Sequence, residues 1–244
     1  MVSKQAKEIT PTTKGGPFHS TRRYGNTHGD TVRFDTAKIL SEKWPGVDPL
    51  AIHLTKIKYH YGYLVPGGVL NGLQFTFRNC NTNEEYTTAD FYGDHQYGGN
   101  KTYTLSPGEF ICDAVVHPGE IMDGIFLKTT RENQLNMGGK GGNRTVVEFQ
   151  CPKPVVIGFF GGYGGHIHNI GFHYASLKDV VFHRRRLYLL LAQRLKSNSD
   201  VAEQLRESIK KDAKLKGKGA EYAFLILSID MSKVIFARTL QYIC

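Results

Sequence analysis

Between about residue 50 and residue 176 the chain is a succession of short apolar alternations broken by Gly, Pro and Asn, and no helical stretch interrupts it. In "AIHLTKIKYHYG", Ile52, Leu54 and Lys56 share one face and, after a phase change, Ile57, Tyr59 and Tyr61 share the other. "GVLNGLQFTFRN" places Leu73, Phe75 and Phe77 together, and "EFICDAVVHPGEIMDGIFLKTT" reads as two strands around a "HPGE" turn, with Phe110, Cys112, Ala114 and Val116 on one face of the first. "NRTVVEFQ", "PVVIGFFGG" and "IHNIGFHYASL" continue the series. Strands at this spacing with turn residues between them define an all-β sandwich or barrel-like fold. The 27 glycines, 13 tyrosines and 14 phenylalanines agree with many short strands and tight turns. No internal repeat is visible by residue identity.

The pattern changes after Leu177. "VVFHRRRLYLLLAQRLK" carries Val180, Leu187, Leu190, Leu191 and Leu195 at helical spacing. "SDVAEQLRESIKKDAKLKGKG" reads as a second helix, with Ser199 or Asp200 as its cap and a Val201, Leu205, Ile209 stripe. The net charge of +9 is concentrated here: residues 178–218 hold twelve Lys/Arg against five Asp/Glu, whereas residues 219–244 balance. The basicity therefore belongs to a tail and points to a local partner rather than a basic domain. Residues 219–244 read as a buried helix or as a pair of strands; periodicity leaves both open.

Other classes find little support. The cysteines Cys80, Cys112, Cys151 and Cys244 form no C-x-x-C pair, which argues against a zinc site and against a disulfide scaffold. The first eighteen residues contain no apolar core of a secretory signal, so an intracellular, cytoplasmic place is expected, with scattered Lys, Ser and Thr leaving an organellar reading open. No nucleophile elbow, H-E-x-x-H or Lys-Ser/Thr phosphate loop is present. Asp90, Asp94 and His95 read as the polar end of a strand and turn rather than an acid–base group. The expectation is a non-enzymatic protein with no cofactor.

Five segments in order carry a family resemblance. "YGNTHGDTVRFD" (24–35) is similar to a glycine-rich opening, "IKYHYG…LNGLQFTF" to a first hairpin, and "YGGNKTYTLSPGEFICDAVVHPGEIMDGIFLKTT" (97–130) to the centre of jacalin-related lectin domains. "GGKGGNRTVVEF" and "VVIGFFGGYGGHIHNIGFHY" match that family's later glycine loop and its ending. The resemblance covers residues 24–176. It implies a β-prism of three antiparallel sheets about a pseudo-threefold axis over residues 24–177. Residues 1–23 then form an N-terminal extension, and residues 178–244 a basic, mainly helical C-terminal one.

The resemblance also implies a sugar site where the final glycine-rich loop meets the opening one. The candidates are Gly25, Asn26, Gly164, Gly165, His166, Ile167 and His168. Backbone N–H groups of the loop would reach sugar hydroxyls, and the family's Asp would accept from two adjacent ones; here that position is His168. A neutral imidazole offers one acceptor and one donor, so it does not replace a carboxylate. A monosaccharide bound near 1 mM gains only about 4 kcal/mol, and one charge-assisted contact worth roughly 1.5–3 kcal/mol is most of that. Mannose- or galactose-type glycans are thus expected to bind weakly or not at all. His166 and His168, at i and i+2, would share a strand face, but no third metal ligand is evident, and His173 should face away. The segment 36–50 is longer than the family needs and carries the only tryptophan, Trp44, in a place from which it could cover the site.

Two functions are compatible with this reading. One is a lectin-like recognition module with an altered sugar site. The other is a structural subunit of a large intracellular assembly, anchored by Arg184, Arg185, Arg186, Leu187, Leu190 and Leu191 on a protein partner. An anionic membrane surface is an alternative partner for those residues. Nucleic acid is the least favoured, since stacking aromatics are not interleaved with the cations.

Overall fold

A computed structural model describes residues 18–27, 32–62, 68–88, 91–94 and 98–184. The chain divides into two compact units, Met1–Asp179 and Val180–Cys244. The first unit consists of three antiparallel sheets. One contains β1 (His19–Ser20), β14 (Ile167–Ser176), β13 (Pro154–Tyr163) and β3 (Val32–Asp35) in that order, with β2 (Tyr24–Gly25) also on β14. The second runs β6 (Glu85–Thr87), β5 (Val69–Asn79), β4 (Ile52–Gly62), β8 (Gly99–Thr104), with β7 (Tyr92–Gly93) also on β5. The third runs β11 (Gln134–Gly138), β10 (Met122–Thr129), β9 (Ile111–Pro118), β12 (Thr145–Val146).

Their inner faces share one core. Phe75 of β5 stacks on Phe159 of β13 at 4.4 Å, and Phe34 of β3 stacks on Tyr92 of β7 at 4.3 Å. Ile111, Ile125 and Leu127 bring the third sheet into the same cluster. Each fully buried side chain of this size contributes about 1.5–3 kcal/mol, and offset aromatic pairs add about 0.5–1.5 kcal/mol. Leu73, Phe75 and Phe77 are fully buried, as their alternation requires.

Bulges break the simple alternation expected of β4 and β9. In β4 the register on β5 shifts between Leu54 and Lys56, leaving Thr55 as an extra residue. Ile52 and Leu54 before it, and Ile57 and Tyr59 after it, therefore all enter the core, while Lys56 turns outward and half-exposed. In β9 the shift falls between the pairs Lys128–Asp113 and Thr129–Ile111, so Cys112 is the extra residue. Ile111, not Cys112, joins Ala114 and Val116 in the core.

Among the described residues strand pairing begins at His19, inside the segment expected to precede the domain. His173 on β14 accounts for this: its Nδ1 lies 2.8 Å from Ser20 Oγ and its Nε2 2.9 Å from Asp35 Oδ1. Asp35 also caps α1 (Thr36–Lys43), accepting from the amides of Ala37 and Lys38. Burial alone would raise the Asp35 carboxyl, but the His173 contact and the two cap amides outweigh it and hold it below the usual Asp range. The long 36–50 segment is thus a helix followed by a 3-10 turn, Pro49–Ala51. It ends in Trp44, which is buried, donates from Nε1 to Glu84 Oε2 at 2.8 Å and meets Tyr86 edge-on. Trp44 belongs to the core beside β6 and does not cover the glycine-rich loop.

Residues 177–184 are helical, opened by Ser176, whose hydroxyl accepts from the Asp179 amide. The remaining tail, residues 185–244, lies outside the described residues. No helix among the described residues is long and apolar enough to cross a membrane. Cys80, Cys112 and Cys151 are free thiols, all half-buried.

Candidate functional site

The β13–β14 hairpin turns through Gly164, Gly165 and His166, closed by the Gly164 amide donating to the His166 carbonyl at 3.0 Å. Tyr163 pairs with Ile167 and Gly162 with Asn169, so His168 is the extra residue of a bulge. The bulge re-aims one backbone carbonyl and one side chain at the loop end of the strand. On the open side of β14, Gly25 pairs with Asn169. Gly25 has φ +114°, and a Cβ there would lie 2.3 Å from the His168 carbonyl oxygen, so only glycine lets the opening segment come this close. The buried Asn169 donates from Nδ2 to the Asn26 carbonyl at 2.9 Å and pins that segment.

The structure thus brings together Gly25, Asn26, Gly164, Gly165, His166, Ile167 and His168. Residues 28–31 of the opening loop lie outside the described residues. Gly165 is exposed, with open space where its Cβ would be, and Ile167 is fully buried as the anchor of the turn. His168 is half-buried and its Nδ1 has no partner among the described residues. Where a carboxylate would offer two acceptors, the site presents one imidazole.

His166 does not stand beside His168 as strand alternation would have it. It lies in the turn, with its Nδ1 3.1 Å from Asn71 Oδ1 on β5. The Asp94 amide, just after β7, donates to both the Asn71 and Gly165 carbonyls at 3.1 Å. The hairpin end is therefore braced by a second sheet. Asn71, Asp94 and Asn169 complete this site, and sequence reading missed the roles of all three; the one available signal was a glycine, Gly93, directly before Asp94.

Other expected groupings resolve differently. No cluster of three or more His, Cys, Asp or Glu suited to a metal occurs among the described residues. His173 points away from the loop into its contacts with Ser20 and Asp35. Asp90 and His95 lie outside the described residues. So do Arg185, Arg186, Leu187, Leu190 and Leu191, whereas Arg184 is described and only 9% exposed rather than facing water.

Residues 21–173 match the family model described as the jacalin-like lectin domain. The match spans more than half of the sequence, and the chain belongs to the jacalin-like lectin family. Among solved structures, the *Calystegia sepium* agglutinin is similar with a TM-score of 0.50 at 16% identity, over 65% of this chain and 97% of that one. Malaysian banana lectin is similar with a TM-score of 0.49 at 19% identity, over 65% and 99% of the two chains. A mannose-binding jacalin-related lectin from *Ananas comosus* is similar with a TM-score of 0.49 at 16% identity, over 66% and 99%. At such identities the likeness concerns the fold. No curated protein matches the chain in sequence.

Proposed function

We propose that the chain is a non-enzymatic carbohydrate-recognition module whose last-loop site is altered by His168. The observation that carries the reading is the convergence of Gly25 on the His168 carbonyl beside the exposed Gly165 turn. This arrangement presents the exposed Gly165 turn to hydroxyl groups but puts an imidazole where two acceptors are needed. The *Ananas comosus* relative is a mannose-binding lectin, and artocarpin is a protein solved with mannotriose. Mannose is accordingly the first sugar to test.

Titration calorimetry on the full chain tests the reading. Wild type is expected to bind mannose and galactose feebly, and His168→Asp to gain about 1.5–3 kcal/mol, roughly ten- to a hundredfold. Tight binding by wild type would show that the imidazole is tolerated. Absence of binding by both forms, to either sugar, would favour the second reading, a structural subunit docked through its tail. That reading draws support from the +7 charge of residues 178–218.

A further inference from the structure

The outer face of the third sheet carries a groove of about 420 Å³, at the lower end of the roughly 300–1,000 Å³ usual for small-ligand sites. Strand register orders its side chains in three rows. In the middle row Phe126 of β10 stands between Asn136 of β11 and Val115 of β9, and Val146 of β12 pairs with Val115. On one side of it Lys128 stands between Gln134 and Asp113, and on the other Gly124 stands between Gly138 and His117. Val115 and Phe126 are half-buried and Val146 is 48% exposed, so the middle row is an apolar strip open to solvent. A flat ring covers such a strip without losing polar contacts of its own edge.

The glycine row belongs to a bulge unit that the fold uses three times. In the β4–β5 hairpin, Tyr61 pairs with Leu70 and His60 with Gly72, which leaves Asn71 as the extra residue. In the β9–β10 hairpin, Pro118 pairs with Met122 and His117 with Gly124, which leaves Asp123. Each bulge carbonyl is approached by a glycine of positive φ: Gly25 at His168, Gly93 at Asn71 and Gly138 at Asp123. Cβ atoms there would sit 2.3, 2.0 and 2.2 Å from the three carbonyl oxygens. In the β9–β10 copy the chain after Gly138 then crosses the sheet face over Gly124, where a Cβ would lie 2.1 Å from the Gly139 carbonyl. This crossing sets Lys140 and Arg144 at one end of the groove. His117 stands beside them, fixed by its Nδ1 contact to the Gly141 carbonyl at 3.1 Å, and its ring meets Phe126 edge-on.

Charge is sorted along the groove. Lys140 and Arg144 are exposed and form no ion pair among the described residues, whereas Lys128 is paired with Glu132. The one acid of the lining, Asp113, lies in the far row and takes the Ala114 amide on Oδ1 at 2.8 Å. A fitting ligand is therefore anionic at one end, flat and apolar in the middle, and able to hydrogen-bond at its other edge. Phe126 lies two residues along β10 from Gly124, about 7 Å at the rise of a strand, a span that a ribose covers between a base and its 5′-phosphate. At the far edge the amides of Gln134 and Asn136 suit the paired donor and acceptor of a purine, and the Asp113 carboxylate suits an exocyclic amino group.

We propose that the outer face of the third sheet binds a purine nucleoside monophosphate, with Phe126 and Val115 against the base and Lys140 and Arg144 on the phosphate. The site goes beyond the last-loop reading and uses none of its residues.

The test is calorimetric titration of the full chain with AMP, GMP, UMP, adenosine and inorganic phosphate. AMP or GMP is expected to bind about tenfold or more tighter than adenosine, phosphate and UMP. Lys140→Gln with Arg144→Gln should bring AMP down to the affinity of adenosine, and Phe126→Thr should weaken AMP and adenosine alike by about tenfold. Both cations are exposed, so their double variant decides the matter even where Phe126→Thr does not fold. Nucleotide binding that survives the double variant would belong to the basic tail and would overturn the proposal. Equal affinity for inorganic phosphate or UMP, indifference to a folded Phe126→Thr, or no binding of either purine nucleotide would overturn it as well. His168→Asp should leave nucleotide binding unchanged while it tests mannose, so failure here and failure of the last-loop reading are separate results.

Discussion

Glu109 is a buried acid that ties the turn before β9 to the β10–β11 turn, and its removal should be expensive. It is 2% exposed and accepts from the Ser106 amide at 2.9 Å, from Thr129 Oγ1 at 2.7 Å and from Asn133 Nδ2 at 2.7 Å. These bonds fasten the turn entering β9 to the end of β10, where the Thr130 amide donates to the Phe110 carbonyl and the Phe110 amide to Thr130 Oγ1. Burial alone would raise the Glu109 carboxyl, but the hydrogen bonds from Thr129, Asn133 and Ser106 outweigh it and hold it below the usual Glu range. Glu109→Ala leaves three donors without their acceptor, at about 1–3 kcal/mol each before water or relaxation recovers part. The net loss should be about 3–5 kcal/mol, a fall of roughly 10 °C or more in Tm. Glu109→Gln keeps the shape and one acceptor and should lose about 1–3 kcal/mol. Urea titration followed by emission of Trp44, the only tryptophan, reads both. Because the folded carboxyl is held low, its contribution is present above the ordinary value of 4.5 and is lost as pH falls through the folded one. The gap between wild type and Glu109→Gln should therefore narrow on acidification below about pH 4.5. An Ala variant less than about 1 kcal/mol weaker than wild type, or a gap independent of pH, would refute this account.

Gly25→Ala should cost about 2–4 kcal/mol and abolish any last-loop sugar binding, since it combines a contact with the His168 carbonyl and an unfavourable φ. Gly165→Ala, with open space at its Cβ, should stay within about 0.5 kcal/mol of wild type; equal losses at the two positions in thermal melts would contradict the geometry. Asp123→Asn should stabilise the chain by about 1 kcal/mol at neutral pH, since burial disfavours the charged carboxylate more than His117 compensates. The folded Asp123 carboxyl is raised, so its penalty is absent below the ordinary value of 3.8 and grows as pH rises through the folded one; the gain should vanish in acid, and melts across pH would show it.

The sequence was most readable where one residue in two had to be apolar. Leu73, Phe75 and Phe77 sit in an unbroken stretch of β5 and are all fully buried. A phase change in β4 was visible because Leu54 and Ile57 are both apolar across the Thr55 bulge. In β9 the bulge at Cys112 went unseen, because cysteine passes as a core residue and alternation continues through it. α1 has only Ile39 and Leu40 as apolar anchors, too few to show a helical period, and its clearest signal is the Asp35 cap. The loop Gly164–His168 was legible as a local motif. Its braces were not: Asn71 and Asp94 reach it from residues far away in sequence, through one side-chain contact and one backbone amide, and neither leaves a pattern in composition or spacing.

The missing internal repeat has the same physical origin. What recurs in the three hairpins is a one-residue excess at the loop end and a glycine of positive φ laid against the bulge carbonyl. Backbone geometry demands the glycine, at Gly25, Gly93 and Gly138, but places no demand on the bulge side chain, which is His168, Asn71 or Asp123. The glycine precedes its hairpin in one copy and follows it in the other two, so no fixed spacing connects them along the chain. The position is conserved by geometry and free in chemistry, and each copy can take a different role without disturbing the prism. In the last copy the bulge residue is the half-buried His168; in the β4–β5 copy Asn71 braces His166. Only at Asp123 is the bulge residue an acid, and there the cradle of Gly119, Gly141 and Gly142 leaves room for its carboxylate.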